Sequence, residues 1–182
     1  MSTHQTNLAD RRATKEQGGQ SLLETAFAMP LLLGLAFNII NFAYLWILLL
    51  TLSAAPRMGA QYASQGGAAG TATAVPSATS ISNLVYENLA NTIKGASSAN
   101  TSVQVCANTV GVNATTGAAL CTQFGPTFGF PAPAVDPEAP VFVLQRVDVG
   151  YPVTPIIPGA AFSIIWPSNL KFHRQVSMRC LY

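Results

Sequence analysis

Hydrophobic and polar positions divide the chain into three stretches. The first apolar stretch is the longest: no position from Thr25 to Pro56 is charged, and its densest part covers 31–52. At about 1.5 Å of rise per residue that part is ~33 Å long as a helix, close to the ~30 Å hydrocarbon core of a bilayer. Lipid offers the backbone no hydrogen-bond partners, so such a stretch has to be helical. A buried core helix is the competing reading, but apolar runs of that kind usually cover only about 10–14 residues. Pro30 is expected to kink the helix or mark its lower end, and Pro56 to bend it near the outer boundary.

Beyond Pro56 the pattern changes twice. Positions 57–64 remain helix-compatible, and the small residues of 66–76 then read as a flexible linker. The spacing of Ile81, Leu84, Val85, Leu89 and Ile93 predicts an amphipathic helix over 80–94, stopped by Gly95. After that, apolar positions alternate in twos. Strands are expected over 101–106 (Val103, Val105), 141–151 (Val147, Val149, Tyr151) and 170–182 (Leu170, Phe172, Val176, Met178). Proline- and glycine-rich loops, chiefly 124–140, separate them. The fold class is therefore α+β: a long N-terminal transmembrane helix, then a small head with one helix on an antiparallel sheet. The expected segments are a basic leader at 1–19, the hydrophobic helix at 20–65, the linker at 66–79 and an extracytoplasmic head at 80–182.

Composition agrees with a chain that is partly in lipid. Hydrophobic residues make up 49% and charged residues 9%, against about 25% charged in ordinary soluble domains. The net charge is +2 and the basic residues are scattered, which argues against nucleic acid as a partner. Arg11, Arg12 and Lys15 precede the apolar run and only Arg57 closely follows it. Basic residues favour the cytoplasmic side, so the N-terminus is expected inside and the head outside. The run also exceeds the h-region of a secretory signal, about 7–15 residues, and only Ala54-Ala55-Pro56 offers a weak cleavage candidate.

Candidate chemistry is sparse. Cys106 and Cys121 are 15 positions apart. In an oxidising compartment a bond between them would close a loop worth about 3 kcal/mol. Cys180 would be left over for a partner, or could pair with either of the other two. Three dispersed cysteines do not suit zinc. His4 lies in the leader, and His173, between Lys171 and Arg174, is expected on a solvated strand face. Asp136 and Glu138 sit in a proline-rich loop, where turn chemistry is the ordinary role. Arg146 and Asp148, two apart on a strand, share a face and can pair. No nucleophile–base, metal or phosphate-loop signature is present, so neither an enzyme nor a cofactor is expected.

Gly18-Gly19 precede Gln20-Ser21-Leu22-Leu23-Glu24, and the charge-free helix starts at once. A basic leader, a glycine, four residues, a glutamate and an apolar helix together resemble the type IV prepilin signal. The stretch 20–33 resembles the start of the TadE-like minor pseudopilins of the tight-adherence (Flp) pilus system. So do Arg57, Gly59, Ala60, Tyr62 and Ala63, and more loosely 147–151 with Pro152, Pro155, Pro158, Met178 and Arg179. Thr25 departs from the family, which usually has a large apolar residue there. The resemblance implies cleavage by a prepilin peptidase between Gly19 and Gln20, leaving Glu24 as the fifth residue. A carboxylate at the membrane edge and a new ammonium group are each costly alone, and pairing between neighbouring subunits relieves both. At 100° per residue, Glu24, Leu31, Gly34, Asn38 and Asn41 lie within about a third of the helix circumference. Small and amide residues favour close helix packing in membranes, so Glu24, Gly34, Asn38 and Asn41 form the expected assembly face. The implied partners are other pilins or pseudopilins, pilus-assembly membrane proteins, the peptidase and membrane lipid. The implied place is the bacterial inner membrane, with a periplasmic head and possible incorporation into a surface pilus. The alternative is an unprocessed, membrane-anchored receptor or adhesin whose periplasmic head binds a ligand.

Overall fold

The computed structural model describes residues 6–65, 75–139, 141–157, 159 and 170–181, with side chains of α1 from residue 21 to residue 64. The protein is α+β, with one long apolar N-terminal helix and a four-stranded antiparallel sheet. Helix α1 (Thr6–Gln65) runs for 60 residues and continues through Pro30. Pro30 therefore does not mark an end. The polar side chains of the apolar run largely bond to their own helix. Thr25, Thr51 and Ser53 each donate to the carbonyl four residues earlier, at 2.8, 3.0 and 2.7 Å. This back-bonding satisfies hydroxyls that lipid would leave unpaired.

Packing falls into two compact units. The first contains α1 up to Ala43 and the described residues from Pro155 to Gly159. Most of the large apolar side chains in this part of α1, Leu22, Phe27, Leu31, Leu35 and Ile39 among them, are exposed.

The second unit contains α1 from Tyr44, helix α2 (Ala78–Thr92) and strands β1 (Ser102–Cys106), β2 (Cys121–Phe124), β3 (Phe142–Pro152) and β4 (Lys171–Leu181), in the order β2-β1-β3-β4. Its core joins Leu48, Leu52, Ala55, Ala60 and Ala63 of α1 to Ile81, Val85 and Leu89 of α2 and to Val103, Val105, Val147 and Val149 of the sheet, all buried. Burying a Val, Leu or Ile side chain stabilises by about 1.5–3 kcal/mol relative to exposure. Close approach of three elements depends on Gly59. A Cβ there would lie 2.7 Å from Val85 Cγ2 and 3.3 Å from Val147 Cγ1.

Helix α2 starts at Ala78, inside the stretch expected as linker, because Ser77 caps it: its Oγ accepts from the Ser80 amide at 3.1 Å. It ends before Gly95, which has φ +89°. The rest of the expected linker, 66–74, lies outside the described residues. β1, β3 and β4 fall within a residue or two of their expected positions. β2 was not expected. It pairs with β1 in the register Val103↔Phe124 to Cys106↔Cys121. The intervening turn is organised by Asn113, whose Oδ1 accepts from the amides of Thr115 and Thr116.

Candidate functional site

Gly19 and Gln20 lie within α1, and Glu24 follows one turn later as an exposed residue. A Cβ added at Gly34 would meet nothing within 4 Å among the described residues. Asn38 Nδ2 donates back to the Gly34 carbonyl at 2.8 Å. Asn41 is different. Its Nδ2 donates to the Ile157 carbonyl at 3.2 Å, and its Oδ1 accepts from the Ile157 amide at 3.0 Å. Only 2% of the residue is exposed. Of the four residues expected to face another subunit, Asn41 is thus bound within its own chain. At 100° per residue the same face continues into the buried positions Leu48, Leu52, Gly59 and Ala63.

In the second unit Cys106 and Cys121 are joined by a disulfide across the β1–β2 pair. Cys106 is buried with Ala119 and Val143, and Val112 and Cys121 pack against them. Cys180 is a free, half-buried thiol whose pKa is raised by burial, which keeps it protonated and poorly nucleophilic. Beside the hairpin turn lies a cleft of about 260 Å³, lined by Val112 to Gly117 and Ala139. None of those side chains can act as an acid or base near neutral pH.

The charged residues of the sheet gather on β3 and β4. Asp148 is fully buried. Its Oδ2 accepts from Arg146 Nε at 2.7 Å, and its Oδ1 lies 2.8 Å from His173 Nε2. The Arg146 guanidinium also donates to the carbonyls of Pro131 and Ala132. His173 packs against Phe128 and Phe130, with ring centroids 6.1 and 5.3 Å away. Gly150 makes room for this, since a Cβ there would lie 2.6 Å from Phe128. His173 is therefore not on a freely solvated face. An Asp–His pair can orient a base, but among the described residues no hydroxyl or thiol is hydrogen-bonded to this imidazole. The arrangement ties the 126–132 loop to the sheet.

A second tie lies nearby. Arg179 donates to both carboxylate oxygens of Asp136, at 2.8 and 2.6 Å, and lies 3.1 Å from Glu138. It also sits over the Phe142 ring, 4.3 Å from the centroid. The hydrogen bond from Arg179 holds the Asp136 carboxyl below its ordinary range, helped by the Glu138 amide, against an opposing effect of burial. Asp136 thus does perform turn chemistry, accepting from the Glu138 amide at 2.8 Å, and it also closes a long-range ion pair. The Arg146–Asp148 pairing was visible in the two-residue spacing. The recruitment of His173, Asp136 and the loop carbonyls carried no local signal.

Among the described residues, no group of three or more His, Cys, Asp or Glu side chains is placed to hold a metal ion. No protein-family model, curated protein or solved structure matches the chain.

Proposed function

We propose that this protein is a structural subunit of a bacterial type IV-like pilus or secretion apparatus, a minor pilin or pseudopilin that assembles through α1. The observation that carries the reading is the division of α1. Large apolar side chains are exposed on it from Leu22 through Phe27, Leu31, Leu35 and Ile39 to Trp46, Ile47 and Leu50, whereas burial begins on one side only further along, at Leu48, Leu52, Ala55, Ala60 and Ala63. An exposed apolar surface of that length needs lipid or other helices to cover it. On the stripe of Glu24, Leu31, Gly34 and Asn38, the first two residues are exposed and the last two half-covered. Gly34, whose missing Cβ would meet nothing within 4 Å among the described residues, suits close approach of a second helix. The Cys106–Cys121 bond suits a head in the oxidising periplasm, and the basic leader suits a cytoplasmic N-terminus.

In this reading a prepilin peptidase cuts between Gly19 and Gln20, and Glu24 then pairs with the Gln20 ammonium of a neighbouring subunit. The test is N-terminal sequencing of membrane-extracted protein from cells with an active prepilin peptidase. Mature chains should begin at Gln20, and Gly19→Val should retain the leader while still inserting. Chains that keep residues 1–19 beside an active peptidase would instead favour an unprocessed anchored receptor.

A further inference from the structure

Asn41 differs from the other polar residues of the apolar run. Thr25, Asn38, Thr51 and Ser53 turn back onto carbonyls of their own helix. The Asn41 amide instead reaches residue 157 and engages both its backbone N–H and its C=O. One buried side chain thereby satisfies two main-chain groups of a non-helical segment. Unpaired backbone polar groups are what exclude such segments from the hydrocarbon of a membrane. Once they are paired, the apolar side chains beside them are free to meet lipid. Ile156, next to the clasp, is 55% exposed, and no residue from Val149 to Leu170 is charged.

Helix geometry sets the depth. Ser21 to Asn41 is about 30 Å of helix, the thickness of the hydrocarbon core. With Glu24 at the inner boundary, Asn41 lies about 26 Å further along, near the outer boundary. This places the span ahead of the 31–52 stretch that apolar density alone marks, in keeping with the burial of Leu48 and Leu52 within the chain. Tyr44 and Trp46 follow it in sequence, and Tyr and Trp collect at headgroup level.

We propose that Pro155–Ile157, clasped by Asn41, is a second membrane contact, in which Ile156 enters the outer-leaflet interface of a phospholipid bilayer beside α1. The proposal rests on the membrane-spanning reading above and extends it to a residue far along the chain. A contact on one side of the helix sets the rotation and depth of α1, and so the direction in which the Glu24–Gly34 stripe faces.

The test uses the full chain in vesicles of phosphatidylethanolamine and phosphatidylglycerol, with Cys180→Ser removing the free thiol. An environment-sensitive fluorophore is placed at Ile156→Cys or, as a depth reference, at Leu31→Cys. Quenching is read from lipids spin-labelled near the headgroup, from lipids labelled near the chain end, and from aqueous iodide. The Ile156→Cys probe should be quenched most by the shallow lipid label and shielded from iodide; the Leu31→Cys probe should respond most to the deep label. Adding Asn41→Leu should open the Ile156→Cys probe to iodide and leave the Leu31→Cys probe unchanged. Iodide quenching at Ile156→Cys without lipid quenching, while Leu31→Cys stays deep, overturns the second contact and leaves the span intact. An Ile156→Cys probe unmoved by Asn41→Leu overturns the clasp. Absence of lipid quenching at Leu31→Cys overturns the membrane-spanning reading and the contact with it.

Discussion

Single residues hold the head together through a few buried polar contacts whose partners cannot be exchanged freely. Asp148 shares its two oxygens between Arg146 and His173, and Arg146 is almost as buried as its partner. Removing one side of a buried pair leaves a charge without compensation, at a cost of about 3–5 kcal/mol. Asp148→Ala should therefore strongly destabilise the head, and Asp148→Asn less so, because an amide oxygen still accepts from Arg146. Denaturant titration of the full chain in detergent, followed by protease resistance of the head, checks this; an unchanged midpoint for Asp148→Ala would remove the tie from the account. Asp136 adds a pH dependence. Its folded pKa lies below the ordinary value of 3.8, so the unfolded chain binds the proton more readily. The stability it contributes is complete above that ordinary value and is lost as pH falls through the depressed folded value. Unfolding midpoints should drop on acidification below that point, and Asp136→Asn should flatten that part of the curve. Equal acid limbs in parent and variant would contradict the assignment.

At the scale of elements, the sequence was most readable where local periodicity and burial coincide. The Ile81–Leu89 spacing of α2 and the alternating valines of β1 and β3 each correspond to an element whose apolar side is buried, while the long apolar run was readable from its length alone, most of its large side chains being exposed. β2 escaped because Cys121-Thr122-Gln123-Phe124 has no strong alternation. Its pairing follows from β1, the disulfide and the Asn113 turn, none of which is a property of those four residues alone. The Arg179–Asp136 tie escaped for the same reason, its partners being 43 positions apart, whereas the Arg146–Asp148 pair was legible because its partners are two apart on one strand. Gly59 had a place in the sequence reading, but its physical reason emerges only where α1, α2 and β3 meet. Alanine there gains about 1 kcal/mol of helix propensity over glycine, yet its Cβ presses on Val85, a stiff β-branched side chain. Overpacking costs about 1–3 kcal/mol, so Gly59→Ala should be destabilising on balance and Gly59→Leu clearly so. The same protease-resistance titration reads both. A Gly59→Leu head as stable as the parent would show that the three elements do not need their close approach.

For the whole molecule, the central expectation is that α1 carries two separable tasks along one length. Its later part belongs to the core through Leu48, Leu52, Ala55 and Ala63. Its earlier part presents apolar side chains and Glu24 outward. A change at Glu24 should therefore alter association between subunits and leave the head's stability alone. Glu24→Ala removes the carboxylate proposed to receive a neighbour's Gln20 ammonium, and that ammonium is then stranded at the membrane edge, where an unpaired charge is costly. Glu24→Gln keeps the shape and some hydrogen bonding, so its effect should be milder. Insertion should persist in both, since the apolar run suffices for it. Crosslinking in membranes measures association, and proteolysis of the same samples follows the head. The expected order of crosslinking is parent, Glu24→Gln, Glu24→Ala, with one proteolysis profile for all three. If both variants crosslink like the parent, Glu24 has no part in assembly. If the head becomes protease-sensitive, the two tasks of α1 are not separable, because a substitution far from the sheet has then reached the core through the helix.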